Sequence, residues 1–198
     1  MSELLGRIVR LQIQAEPLKA TGRYDPRHLV TAENALIGEA GMLIRDDNGW
    51  IIDAHHRGHP RARGGGNRAL SIGFTGHYQA MARRFDTVPV GIAGENIIVD
   101  GPAVRMADIS EGMFIRRSDG VELDLDGPRP AAPCRPFTSF LLGSDDVLQR
   151  DAIQSELAFL SDGTRGFLIS VGGTNRYEKV TVGDEVFARR VPSARRTG

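Results

Sequence analysis

Near the start of the chain, Val9, Leu11 and Ile13 alternate with Arg10, Gln12 and Gln14. That is the two-residue period of a half-buried strand at a sheet edge. From Met42 to Asp53, apolar runs flank Asn48-Gly49, a pair suited to the positive-φ positions of a type I′ hairpin turn. A second hairpin is predicted over Met113 to Asp126, turning at Asp119-Gly120. In its second arm Val121, Leu123 and Leu125 share one face, and Glu122, Asp124 and Asp126 share the other. Residues 96–100, 166–171 and 184–190 read as further strands.

Two segments change period. Tyr78, Met81, Ala82 and Phe85 form one helical stripe, with Thr75 placed to cap its start. Ile153, Leu157 and Leu160 form a second, with Ser144, Asp145 and Asp146 as its N-terminal signal and Gly163 as its stop. Strands outnumber helices and do not alternate with them. The pattern predicts a mostly β chain, an antiparallel or mixed β-barrel decorated by helices. With no internal repeat and no long linker, one domain is expected over residues 1–192, followed by a disordered basic tail at 193–198.

Composition narrows the function. The 198 residues carry 25 Lys+Arg against 25 Asp+Glu, a balance that argues against a dedicated nucleic-acid or anionic-membrane binder. Only 6% of residues are aromatic and Trp50 is the sole tryptophan, so stacking platforms for bases are few. No apolar run approaches the roughly 20 residues of a spanning helix. The opening residues lack a signal peptide's apolar core, and a cytoplasmic protein is expected. One cysteine, Cys134, excludes an internal disulfide framework. The basic residues are 23 arginines and only Lys19 and Lys179. That bias reads either as codon usage in a GC-rich genome or as anion recognition by guanidinium forks. Neither lysine has the setting of a Schiff-base residue, so no pyridoxal phosphate site is expected here.

Three stretches hold candidate chemistry. Cys134 lies in RPAAPCRPF, where Pro130, Pro133 and Pro136 predict a stiff surface loop rather than sheet interior. Arg129 and Arg135 flank it, and guanidinium charge beside a thiol favours the thiolate, the form that acts as nucleophile and metal ligand. The alternative is a buried cysteine serving as a small hydrophobe. GIAGENIIVDG, residues 91–101, joins a glycine turn to an apolar strand. There Gly91 and Gly94 allow close backbone approach, Glu95 offers an acid or base, and Asn96 offers donor and acceptor. Glycine content alone favours the alternative, an ordinary tight turn entering a strand. Residues 54–68 hold three histidines and four arginines with no acid. His55, His56 and His59 with Asp53 are zinc-ligand types, but Gly58 and Pro60 forbid the helix that would align them. The stretch through Gly64, Gly65, Gly66 and Arg68 reads instead as a basic loop receiving an anion, or as a plain solvated loop.

Taken together, GIAGENIIVDG, PRPAAPCRPF and GTRGFLISVGGTNRYEKVTVGDEVFARRV resemble, in order and rough spacing, segments of the MOSC domain family, named from the C-terminal domain of molybdenum cofactor sulfurase. The resemblance implies a MOSC-type β-barrel with a cleft that exposes Cys134. It implies sulfur transfer or the binding of a molybdenum-pterin cofactor: a sulfurtransferase, or a component of a molybdenum-cofactor-dependent oxidoreductase. Cys134 would be the catalytic residue, carrying sulfur or ligating molybdenum. Gly94, Glu95 and Asn96 would line the cleft, and Arg129, Arg135 and Arg68 would hold the cofactor's anionic groups. The chain contains no desulfurase domain, so a pyridoxal-phosphate cysteine desulfurase or a molybdoenzyme is the implied partner. The rival expectation is a non-catalytic barrel that binds a small anion through its arginines.

Overall fold

The computed structural model of the chain describes residues 1–19, 22–62, 70–172 and 176–190. The organising strand is β1 (Ser2–Gln14), whose length lets it pair with three neighbours in turn. Its first residues pair with the last strand of the chain, its middle with a strand near residue 98, and Leu11–Gln14 with β2 (Leu29–Ala32). It is therefore not a sheet edge. A register shift between Ile8 and Arg10 also breaks the expected alternation: Ile8 faces the core and Val9 is 44% exposed. A bulge inserts one residue and so turns every side chain before it to the opposite face.

After β2 come β3 (Asn34–Gly38), β4 (Gly41–Asp46) and β5 (Gly49–Ile52). The β4–β5 hairpin forms as expected, but its turn residues are Asp47-Asn48, one position earlier than the asparagine-glycine reading. Asp46 accepts hydrogen bonds from the Asn48 and Gly49 N–H groups at 2.8 and 3.0 Å, so an aspartate turn sets the reversal.

Next are β6 (Leu70–Phe74), α1 (Thr75–Phe85) and β7 (Ile97–Asp100). β6 and β7 are parallel, and α1 belongs to the crossover that parallel neighbours require. Thr75 is the first helical residue and not the cap; its hydroxyl donates to the Asp100 carboxylate at 2.8 Å and so ties α1 to β7. The expected second hairpin is β8 (Met113–Arg116) and β9 (Glu122–Pro130). Its Leu123 and Leu125 are buried, while Val121 precedes the arm and is exposed. β10 (Phe167–Val171), β11 (Glu178–Thr181) and β12 (Glu185–Arg189) complete the strands.

The main sheet runs β12-β8-β9-β10-β6-β7-β1, and β1 pairs back with β12, closing a seven-stranded barrel to which β2 is appended. A smaller sheet, β11-β3-β4-β5, shares its core: Ile37, Met42 and Val180 pack into the cluster that holds Ile8, Phe74 and Phe167. The seam of the barrel lies at Gly6, whose φ is +149° and whose missing Cβ would stand 1.9 Å from the Asp100 carbonyl oxygen.

Two helices depart from the expectation. α2 (Arg135–Leu141) stands where a proline-rich loop is predicted; Pro136 sits in its first turn, where a missing N–H costs nothing. The helix expected from Ser144 starts only at Asp151, as one 3₁₀ turn leading into α3 (Gln154–Phe159). The intervening segment bonds to the end of α2 instead, through Ser144 N–H to Ser139 O at 3.0 Å and Leu148 N–H to Ser139 Oγ at 2.9 Å. A second apolar cluster joins α1 and α2 to the segment after β1 through Leu18, Tyr24, Tyr78, Met81 and Phe137. No described helix is long and apolar enough to cross a membrane. Arg68, the triple glycine at 64–66 and the tail lie outside the described residues.

Candidate functional site

A cleft of about 380 Å³ opens beside the barrel, between the segment after β1, the 93–95 turn and the end of β9. Its volume falls in the range of small-ligand sites. Among its lining residues are Lys19, Tyr24, His55, Gly94, Glu95, Arg129 and Arg165.

Cys134 is not among the cleft's lining residues, contrary to the expectation of a cleft that exposes it. It lies half-buried directly before α2, with its sulfur against two residues that do line the cleft, Lys19 and Arg165. Its carbonyl accepts from the Thr138 N–H and hydroxyl, both at 3.0 Å, which fixes the residue against the helix. Two cations meet its sulfur: Lys19 Nζ at 3.7 Å and Arg165 Nη1 at 3.8 Å. Neither flanks Cys134 in sequence. Arg135, which does, turns its Nε to the Leu148 carbonyl at 2.8 Å, and Arg129 lines the cleft. Arg165 precedes β10 and spans the cleft wall. It donates to the carbonyls of Ala132 at 3.0 Å and Ala93 at 3.4 Å, and it lies over the Phe137 ring at 4.9 Å. Its Nε is buried and without a partner among the described residues.

The 91–96 turn is held from below by two glutamines that the alternating pattern assigns to a polar face. Gln12 Nε2 donates to Gly91 O and Glu95 O at 2.7 and 2.8 Å, and Gln14 Nε2 donates to Gly94 O at 2.9 Å. Gly94 has φ +89°, and a Cβ there would meet Leu18 at 2.8 Å, so its closest neighbours come from the chain itself. Asn96 is buried and wholly engaged. Its Oδ1 accepts from the Ser71 N–H and hydroxyl at 3.0 Å each, and its Nδ2 donates to Asp53 Oδ2 at 3.0 Å. It braces the cleft rather than facing it.

Glu95 does line the cleft, and it is 3% exposed. Tyr78, from α1, donates a short hydrogen bond to Oε2. Oε1 has no partner among the described residues and lies where a Cβ on Gly73 or Gly166 would come within 2.9 or 3.1 Å. Burial raises the Glu95 carboxyl above its ordinary value of 4.5, against the opposing Tyr78 hydrogen bond and Arg165 charge. Burial also pushes the Tyr24 and Tyr78 hydroxyls well up, so both stay protonated donors. The stability consequence has a definite sign. A carboxyl raised by folding contributes fully below its unfolded value, and that contribution is lost as pH rises through the folded one. E95Q remains uncharged, so its stability relative to wild type is expected to grow across that window. The difference between the two proteins should therefore be larger at pH 8 than at pH 4. Urea melts of both proteins at pH 4 and pH 8 check this; a constant difference would contradict it.

The histidines do not converge. His55 Nδ1 faces Asp53 Oδ1 at 3.0 Å, His56 Nε2 meets the Tyr177 hydroxyl at 2.5 Å, and His59 Nδ1 accepts from the Arg61 N–H at 3.1 Å. Among the described residues no group of three or more His, Cys, Asp or Glu side chains could hold a metal ion. Sequence reasoning missed Lys19, Arg165 and the Tyr78–Glu95 contact. The one signal for Arg165 is its place between Gly163 and Gly166, at the start of a strand.

Two solved structures share the fold. One is described as a hypothetical protein, with 18% identity, a TM-score of 0.54, and coverage of 94% of this chain and 70% of that one. The other is the YuaD protein from Bacillus subtilis, with 17% identity, a TM-score of 0.52, and coverage of 96% of this chain and 98% of that one. YiiM from Geobacillus stearothermophilus overlaps more loosely, with 15% identity, a TM-score of 0.45, and coverage of 96% and 76%. No curated protein matches the sequence. The MOSC domain model matches residues 56–187, from the turn after β5 into β12 and including Glu95, Cys134 and Arg165, and the chain belongs to the MOSC domain family.

Proposed function

We propose that the protein carries sulfur on Cys134 and presents it to an acceptor bound in the adjoining cleft, as a sulfur carrier in molybdenum-cofactor chemistry. The observation behind this reading is the pair of cations at the sulfur, Lys19 at 3.7 Å and Arg165 at 3.8 Å. When the sulfur is ionised, both contacts are charge-assisted. Loading follows ordinary thiol exchange. The Cys134 thiolate attacks the outer sulfur of a desulfurase persulfide, the donor's S–S bond breaks, and its electron pair leaves on the donor's thiolate. The terminal sulfur, with its proton, is then on Cys134.

The residues present also suit a molybdenum-pterin. Arg165 has a buried Nε without a partner among the described residues, and Lys19, Arg129 and Arg165 share the cleft. Those three would hold its phosphate, and Cys134 is a soft donor of the kind a thiophilic metal takes. Bound there, the metal would supply two-electron redox chemistry. The cations favour the second reading, a binding module for a small anion, as well. Incubation with a cysteine desulfurase and cysteine, followed by peptide mass spectrometry, separates the two. The carrier reading expects one added sulfur on the Cys134 peptide, and an unmodified thiol would leave the anion-binding module.

A further inference from the structure

Asp53 and His55 form a built pair, with His55 on the cleft wall and Asp53 buried outside the lining. Asp53 is fully buried, and donors surround its carboxylate. Oδ2 accepts from Gln14 N–H at 2.8 Å and Asn96 Nδ2 at 3.0 Å, and Oδ1 accepts from His55 N–H at 2.8 Å. The imidazole Nδ1 stands 3.0 Å from the same Oδ1. A carboxylate held by three donors acts toward a fourth group as an acceptor, so Nδ1 carries the ring proton and Nε2 is left as a base. No hydrogen bond to Nε2 occurs among the described residues. The His55 side chain remains 46% exposed and lines the same cleft as Lys19 and Arg165, the two cations at the Cys134 sulfur. A buried carboxylate orienting a half-exposed imidazole beside a nucleophile's cleft is the arrangement of a general base.

We propose that His55 is the general base of this cleft and that the sulfur acceptor is a small anionic thiol. This rests on the reading of Cys134 as a sulfur carrier. The acceptor's negative group faces Lys19, Arg129 or Arg165, and its thiol gives its proton to His55 Nε2. The resulting thiolate attacks the outer sulfur of the Cys134 persulfide. The S–S bond breaks, its electron pair stays on Cys134 Sγ beside Lys19 and Arg165, and the proton returns from His55 to that sulfur. The acceptor leaves as a persulfide and Cys134 as a thiol, with no external oxidant or reductant.

The test uses the full chain loaded by a cysteine desulfurase and cysteine, with the Cys134 persulfide verified by mass before an acceptor is added. Two acceptors are compared: 3-mercaptopropionate, which must lose a proton to react, and sulfite, which need not. H55A is expected to slow transfer to 3-mercaptopropionate by about ten- to a hundredfold and to leave transfer to sulfite within a small factor of wild type. Added imidazole should restore the thiol rate. H55Q, which keeps a donor for Asp53 but no ring nitrogen, should show the same loss as H55A. Equal slowing with both acceptors, or none with either, would overturn the assignment of His55 while leaving the carrier reading intact. Absence of persulfide on the loaded wild type would instead overturn the carrier reading, and this assignment with it.

Discussion

Replacing Cys134 with serine is expected to leave the barrel folded and to abolish sulfur loading. The residue is half-buried at the margin of the second apolar cluster, so exchanging sulfur for oxygen removes little packing. The stability change should stay within about 1 kcal/mol. Its backbone role survives, because the bonds from Thr138 reach the carbonyl and not the side chain. The chemistry does not survive. A hydroxyl is a poor nucleophile toward sulfane sulfur and a hard ligand for a soft metal, so loading by a desulfurase should fall to background. C134S therefore separates fold from function. Its melting curve should superimpose on that of wild type while its peptide gains no sulfur.

The second large effect belongs to the fold. Gly6→Ala should destabilise the protein by about 3–5 kcal/mol, the combined scale of a strained backbone conformation and an overpacked contact. Gly6 pairs with Val186 of β12 at a register shift in β1, and the next residue, Arg7, pairs with Asp100 of β7. At φ +149° an added methyl would meet the Asp100 carbonyl oxygen at 1.9 Å and Val99 Cγ1 at 2.9 Å. Both atoms belong to β7, so relief requires β1 to move away from β7. A loss of this size is a large share of the stability of an ordinary domain. Urea denaturation measures it directly; a loss below 1 kcal/mol would show that the seam yields easily.

Periodicity served best where strands are regular. The arm with Leu123 and Leu125 is buried on the expected face because nothing interrupts its two-residue repeat. It failed on β1, where the shift between Ile8 and Arg10 reverses the faces and no residue type announces the bulge. Prolines misled for a different reason: Pro136 excludes a helix interior but suits a first turn, so α2 was hidden by a rule applied without position. The site was legible by residue and not by arrangement. Cys134 and Glu95 stand out in the sequence, yet the cations at the sulfur come from positions 115 and 31 residues away along the chain. Glu95 and Asn96 are neighbours with opposite duties. The first lines the cleft and accepts from Tyr78, and the second lies outside the lining and bonds to Ser71 and Asp53. Which neighbour takes which duty depends on what the barrel packs around them.

The most direct measurement of the central claim is the sulfane sulfur, molybdenum and pterin content of the protein purified from its own host, wild type beside C134S. The account predicts that wild type carries sulfane sulfur on Cys134 or retains the molybdenum-pterin, and that C134S carries neither. Wild type free of all three, or C134S carrying as much as wild type, would contradict it.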